Sequence, residues 1–229
     1  MQLMLRKDAT HTPMERSVGA LHILSEYIRE PYFKRLLNAI AGAQYHSNFK
    51  TLAVLSQQPG EGKTFFVCSV ALAYSQYLQG RVLIVDTTKQ TRDKLLFLEC
   101  LISEAQNGVV NGHANGNGNG NKNGKKNSRI DFLTTRNING GAHDWSDFQL
   151  ASYIDRFKQE YDLVLIDTCA LEVVDRYATD PLIVARGSDA SVLITSKQTL
   201  KKERLSEIQR ELKSSEVNLL GTVFNGGAA

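Results

Sequence analysis

The chain has 229 residues, 42% of them hydrophobic and 22% charged, which is the balance of one soluble globular domain with a buried core. Its net charge of +3 comes from scattered Lys and Arg with no concentrated basic face, which argues against nucleic-acid binding. Cys68, Cys100 and Cys169 lie far apart without CxxC spacing, which argues against a zinc site or a disulfide framework and points to the reducing cytosol.

Residues 1–16 are polar and read as a flexible N-terminus without the apolar core of a signal peptide. The domain is expected over 17–229. From Val18 to about Ala43, Leu21, Leu24, Ile28 and then Leu36, Leu37, Ile40 recur near a helical period, with Pro31 at the junction of two helices. The run 51–56, TLAVLS, reads as a buried strand, PGEG as a turn, and Lys63 to Leu78 as a helix with Val67, Val70, Ala71 and Tyr74 on one side. A second strand, RVLIVD (81–86), precedes a helix over Lys94–Ala105. The segment 107–127 is almost wholly Asn, Gly and Lys, cannot bury apolar surface, and reads as a flexible low-complexity insertion. Then follow a weaker strand (129–135), a helix (Asp147–Glu160), a strand YDLVLID (161–167) and a short helix at Leu182–Arg186. A strand ASVLITS (190–196), an amphipathic helix (Leu200–Ser214) and a last strand NLLGTVFN (218–225) complete the order. Strands apolar throughout, alternating with helices, predict an α/β fold with a doubly wound, mostly parallel sheet. Ligands of such sheets sit beyond the C-terminal ends of the strands. No apolar run approaches the length of about 18 that spans a bilayer, so a membrane role is expected only through a partner.

The chemistry gathers in SQQPGEGKT, residues 56–64. Against the phosphate-loop pattern G-x-x-x-x-G-K-[ST], Gln57 replaces the first Gly, while Gly62, Lys63 and Thr64 match. Gly60 and Gly62 let the backbone curl until successive N–H groups converge on phosphate oxygens, and the helix opening at Lys63 adds its positive end. The segment Gln58, Pro59, Gly60, Glu61, Gly62, Lys63, Thr64 and Phe65 is the expected ATP-binding loop, with Lys63 on the β- and γ-phosphates and Thr64 on Mg²⁺. Asp86 and Asp167 each end an apolar strand. In a sheet with a phosphate loop, such acids hold Mg²⁺ or take a proton from an attacking hydroxyl. The five histidines show no ligand spacing.

PGEGKT, a strand ending in VDTT, a strand ending in LIDT and the final LLGTVFN resemble the cytoplasmic domain of the bacterial tyrosine kinases (BY-kinases), capsule and exopolysaccharide regulators related to the partition and Min-type ATPases. Gln58 stands where the partition-type proteins carry a signature Lys, and Pro59 where they usually carry Gly. The resemblance covers about Glu30 to Asn225. It implies the P-loop nucleoside triphosphate hydrolase fold, ATP and Mg²⁺ as cofactors, and catalytic roles for Lys63, Asp86 and Asp167. It also implies metal ligation by Thr64, Asp86 and Asp167 and an adenine contact by Asn225. Thr179–Asp180 matches a recurring TD, and Glu30, Tyr32, Lys34 and Arg35 loosely match a self-association helix, implying a homo-oligomer. Soluble members act with a membrane chain-length protein, a polysaccharide co-polymerase whose cytoplasmic segment activates them, so a cytoplasmic place at the inner membrane face is expected.

Several positions depart from that pattern. Thr88 replaces the second Asp of the D-x-D motif, Lys89 or Arg92 is the nearest match to its following basic residue, and Cys169–Ala170 replaces Pro-Pro. The last tyrosine is Tyr177, so no autophosphorylated C-terminal tyrosine tail is expected. The leading expectation is a Mg·ATP-dependent protein-tyrosine kinase of exopolysaccharide or capsule production. The rivals are a catalytically degenerate, nucleotide-dependent regulatory module and a Min-type ATPase.

Overall fold

The computed structural model describes residues 12–88, 92–108, 129–134, 147–173, 179–196 and 202–226. The Asn/Gly-rich insertion beyond residue 108, Lys89, Trp145 and Tyr177 lie outside the described residues. Six strands form one sheet: β1 (Thr51–Ser56), β2 (Val82–Asp86), β3 (Ile130–Thr134), β4 (Leu163–Asp167), β5 (Ala190–Ser196) and β6 (Leu219–Asn225). Their order is β3-β2-β4-β1-β5-β6 and every neighbouring pair is parallel, as the doubly wound expectation requires.

Because side chains alternate along a strand, each central strand feeds two cores. Leu52 and Val54 of β1, Val82 and Ile84 of β2, and Leu163 and Leu165 of β4 pack on one face. Ala53 and Leu55, Leu83 and Val85, and Val164 and Ile166 pack on the other. The first face is covered by α1 (Pro13–Tyr27), α2 (Pro31–Ser47), α3 (Lys63–Tyr77) and α4 (Arg92–Gly108). The second is covered by α5 (Asp147–Glu160), α6 (Pro181–Arg186) and α7 (Lys202–Ser214), which contribute Ile154, Val184, Ile208 and Leu212.

Two expectations need correction. The first helix begins at Pro13, inside the segment read as flexible. Thr12 and Glu15 form a reciprocal cap, the Glu15 carboxylate accepting from the Thr12 amide at 2.7 Å and the Thr12 hydroxyl from the Glu15 amide at 3.3 Å. Pro13 at the first helical position adds a preset φ. The second correction concerns α3, for which the sequence predicts one apolar side. It is buried from Phe66 to Ser75 on all sides, because α1 and α2 cover the face turned away from the sheet with Leu24, Ile28, Phe33, Leu37 and Ile40.

Candidate nucleotide site

The same alternation that builds the cores sets the chemistry. Ser56, Asp86 and Asp167 continue the rows Leu52–Val54, Val82–Ile84 and Leu163–Leu165, so all three point to the face carrying α3 and α4. β2 and β4 are adjacent, and Asp86 is the direct register partner of Asp167. β4 also pairs with β1, which runs into the phosphate loop. The two acids and the loop therefore meet at one edge of the sheet, and both acids are almost fully buried, at 0% and 1% exposure.

The loop itself is held by its backbone and by two strand ends. Gly60 and Gly62 have φ of +83° and +102°, conformations that L side chains rarely adopt. A Cβ on Gly62 would come within 2.6 Å of Asn225 Nδ2. That Asn225 amide donates to the Glu61 carbonyl at 3.1 Å, so β6 braces the loop. The buried Glu61 carboxylate closes the loop from inside. It accepts from the Gln58 amide at 2.9 Å and, more weakly, from the Ser196 amide at 3.3 Å and the Thr195 hydroxyl at 3.4 Å. Gln57, in the place of the first loop glycine, is buried and donates through Nε2 to Glu172 Oε1 at 2.6 Å.

Lys63 opens α3 and donates to Ser56 Oγ at 2.5 Å, while Ser56 in turn donates to the Gln58 carbonyl at 2.8 Å. Burial lowers the Lys63 pKa, with Asp167 as the chief opposing charge. Next along the helix, the Thr64 hydroxyl donates to Asp167 Oδ2 at 2.7 Å. The second oxygen, Asp167 Oδ1, is buried and has no hydrogen-bond partner. Asp86 Oδ1 accepts from both the amide and the hydroxyl of Thr88, each at 2.8 Å. Burial raises the Asp86 pKa and the neighbouring Asp167 adds to the rise, against the opposing charge of Lys94.

Lys94 is the residue that sequence reasoning missed. The sequence places it at the start of a helix and offers Lys89 or Arg92 for the basic role. Its ammonium bridges Asp86 Oδ2 at 2.5 Å and Asp167 Oδ2 at 2.9 Å, and donates to the Thr88 hydroxyl at 2.9 Å. Burial disfavours its charge, but Asp167 and Asp86 outweigh that and push its pKa above the usual lysine range. A signal existed: a Lys in the first turn of the helix after a strand ending in Asp lies at the sheet edge where that Asp ends.

The remaining expected residues divide by what they touch. The Phe65 ring packs against Tyr27, with centroids 5.0 Å apart, and against the α1–α4 core, so only its backbone faces the loop. Asp180 caps α6 by accepting from the Leu182 amide at 2.8 Å. Cys169 donates to the Thr179 carbonyl at 3.5 Å. Glu30 begins α2 without a side-chain cap, and Tyr32 beside it is 81% exposed.

The donor set fits a divalent cation. Two carboxylates and a hydroxyl are hard oxygen ligands, and the partnerless Asp167 Oδ1 is an acceptor that a cation would satisfy. Mg²⁺ is usually held by one or two carboxylates plus phosphate and water, and Asp86, Asp167 and Thr64 could supply the protein's share. No helix among the described residues is long and apolar enough to cross a membrane.

No family model matches the chain. Tyrosine-protein kinase YwqD of Bacillus subtilis is 25% identical over 220 residues, covering 93% of this chain and 87% of that protein. Tyrosine-protein kinase CpsD of Streptococcus pneumoniae is 21% identical over 187 residues, covering 77% and 75% respectively. The solved kinase domain of the Escherichia coli tyrosine kinase ETK matches with a TM-score of 0.57 at 19% identity, over 83% of this chain and 72% of that one. Over most of its length the chain is similar in sequence to bacterial tyrosine-protein kinases, and it shares the fold of a solved kinase domain of that kind.

Proposed function

We propose that the chain binds Mg·ATP and transfers its γ-phosphoryl group to a tyrosine, in the control of exopolysaccharide or capsule synthesis or export. The observation that carries this reading is the meeting of loop and acids. Thr64 lies 2.7 Å from Asp167, and Asp86 sits beside Asp167 in direct register. The amides from Gln58 to Phe65 and the Lys63 ammonium hold the phosphates, with Asn225 bracing the loop from β6 at the adenine end. Thr64, Asp86 and Asp167 would hold Mg²⁺, which, when bound, offsets phosphate charge. Asp86 alternatively accepts the tyrosyl proton as the phenolic oxygen bonds to phosphorus and ADP leaves. The cytoplasmic segment of a membrane chain-length protein is the activator and brings the chain to the inner membrane face. Self-association runs through the start of α2, where Tyr32 is exposed.

One observation favours a second reading, a regulator that binds nucleotide without transfer: Thr88 supplies a hydroxyl where the kinase motif has a second carboxylate. The two readings separate in one experiment. Purified protein is mixed with Mg·ATP and a cytoplasmic peptide of the cognate membrane protein, beside Lys63→Met. Phosphotyrosine that falls about a hundredfold or more in Lys63→Met supports the kinase. Nucleotide binding without phosphotyrosine or phosphate release supports the regulator, and the absence of any Mg·ATP binding refutes both.

A further inference from the structure

Lys94 occupies a position that neither the phosphate loop nor the two acids call for. Its ammonium has three protons, and three oxygens receive them: Asp86 Oδ2, Asp167 Oδ2 and Thr88 Oγ1. The lysine side chain is only 11% exposed. Asp167 Oδ2 is also the oxygen to which Thr64 donates. Thr88 holds Asp86 Oδ1 and Lys94 holds Asp86 Oδ2, so Asp167 Oδ1 is the one carboxylate oxygen of the pair left open, and a divalent ion that reached it together with Thr64 and Asp86 would still meet an oxygen that Lys94 holds. Mg²⁺ takes ligand oxygens at about 2.0–2.1 Å in a near-octahedral shell, so it competes with the ammonium for the oxygens that Lys94 now bridges. Like charge between ammonium and dication adds to the exclusion.

We propose that Lys94 is a tethered cation in the metal seat: it holds Asp86 and Asp167 together, and Mg²⁺ must displace it to enter. The inference rests on the nucleotide-site reading above. Thr88 belongs to the device, since its hydroxyl takes the third ammonium proton while donating to Asp86 Oδ1 at 2.8 Å. The departure at position 88 and the bridging lysine are thus two parts of one arrangement. The loading of Mg·nucleotide becomes a competition between an intramolecular and a free cation, and the magnesium requirement is set by how firmly Lys94 is seated.

The test is calorimetric ADP binding at stepped Mg²⁺ concentrations, on the full chain and on Lys94→Met, Lys94→Gln and Lys94→Arg. If the bridged state holds about nine-tenths or more of the population, removing the lysine charge lowers the half-saturating Mg²⁺ about tenfold or more. Lys94→Arg keeps a cation there and stays near wild type. Lys94→Gln can still donate to the carboxylates and carries the measurement should Lys94→Met not fold. Magnesium chloride alone supplies a second readout: it raises the melting temperature of the neutral variants more than that of wild type or Lys94→Arg. An unchanged or higher Mg²⁺ requirement in the neutral variants, with an equal melting response, overturns the proposal. So does wild-type ADP binding that is undiminished in EDTA, since Lys94 would then replace the metal rather than yield to it. If no form binds ADP, the nucleotide reading falls while the magnesium-only melting comparison still decides the role of Lys94.

Discussion

Gly62 is where backbone conformation and a distant strand meet, so Gly62→Ala has a calculable cost with two separable parts. The residue sits at φ +102°, and a Cβ there meets the Asn225 amide nitrogen at 2.6 Å. Holding an L-residue in left-handed space costs about 1–2 kcal/mol. The Asn225 side chain can swing aside, but it then loses its 3.1 Å hydrogen bond to the Glu61 carbonyl, worth about 1 kcal/mol. The expected total is about 2–3 kcal/mol, read from urea denaturation at unchanged m-value. In an Asn225→Ala background the same substitution should cost only the backbone part, leaving a coupling energy of about 1 kcal/mol in the double-mutant cycle. A coupling within about 0.3 kcal/mol of zero would refute the contact between β6 and the loop. A total below about 0.5 kcal/mol would refute the strained backbone at Gly62 as well.

Further outcomes follow from burial and charge. Leu24 of α1 is wholly buried against α3 and α4, so Leu24→Ala should cost about 3 kcal/mol in the same assay; a loss under about 1 kcal/mol would mean that α1 is not part of the core. At the opposite edge of the sheet, Asp189 accepts from the Lys50 and Thr51 amides at 2.9 and 3.0 Å and from Lys158 at 2.7 Å. Burial alone would raise its pKa, but those partners outweigh it and hold the carboxyl below its ordinary value. A depressed acid stabilises fully above its unfolded pKa of about 3.9 and loses that contribution as pH falls through the folded value. The difference in unfolding free energy between wild type and Asp189→Asn should therefore be about 1 kcal/mol, level above about pH 5, and should shrink below about pH 4. A gap that stays constant down to pH 2 would contradict this account.

The phosphate loop and the strands were legible because their signals are local. An apolar run such as VLIV or LVLI cannot sit in water, and a turn with Gly60, Gly62, Lys63 and Thr64 carries its function in adjacent residues. Even the face occupied by Asp86 and Asp167 follows from counting by twos along each strand. The start of α1 was missed although its signal, Thr12-Pro13 with Glu15, is equally local: the polar composition around it masked the cap.

Other features had no local signal. Nothing in the residues themselves says that β4 inserts between β1 and β2, yet only that order makes Asp86 the neighbour of Asp167 and carries both to the loop. Strand pairing joins residues 81 positions apart through backbone hydrogen bonds that any side chain permits, so it is decided by how the whole chain packs. The all-round burial of α3 came from α1 and α2 closing over it, and the bridging role of Lys94 from α4 starting above two acids on different strands. Local chemistry determined the parts of the site; the order of strands and helices decided which of them touch.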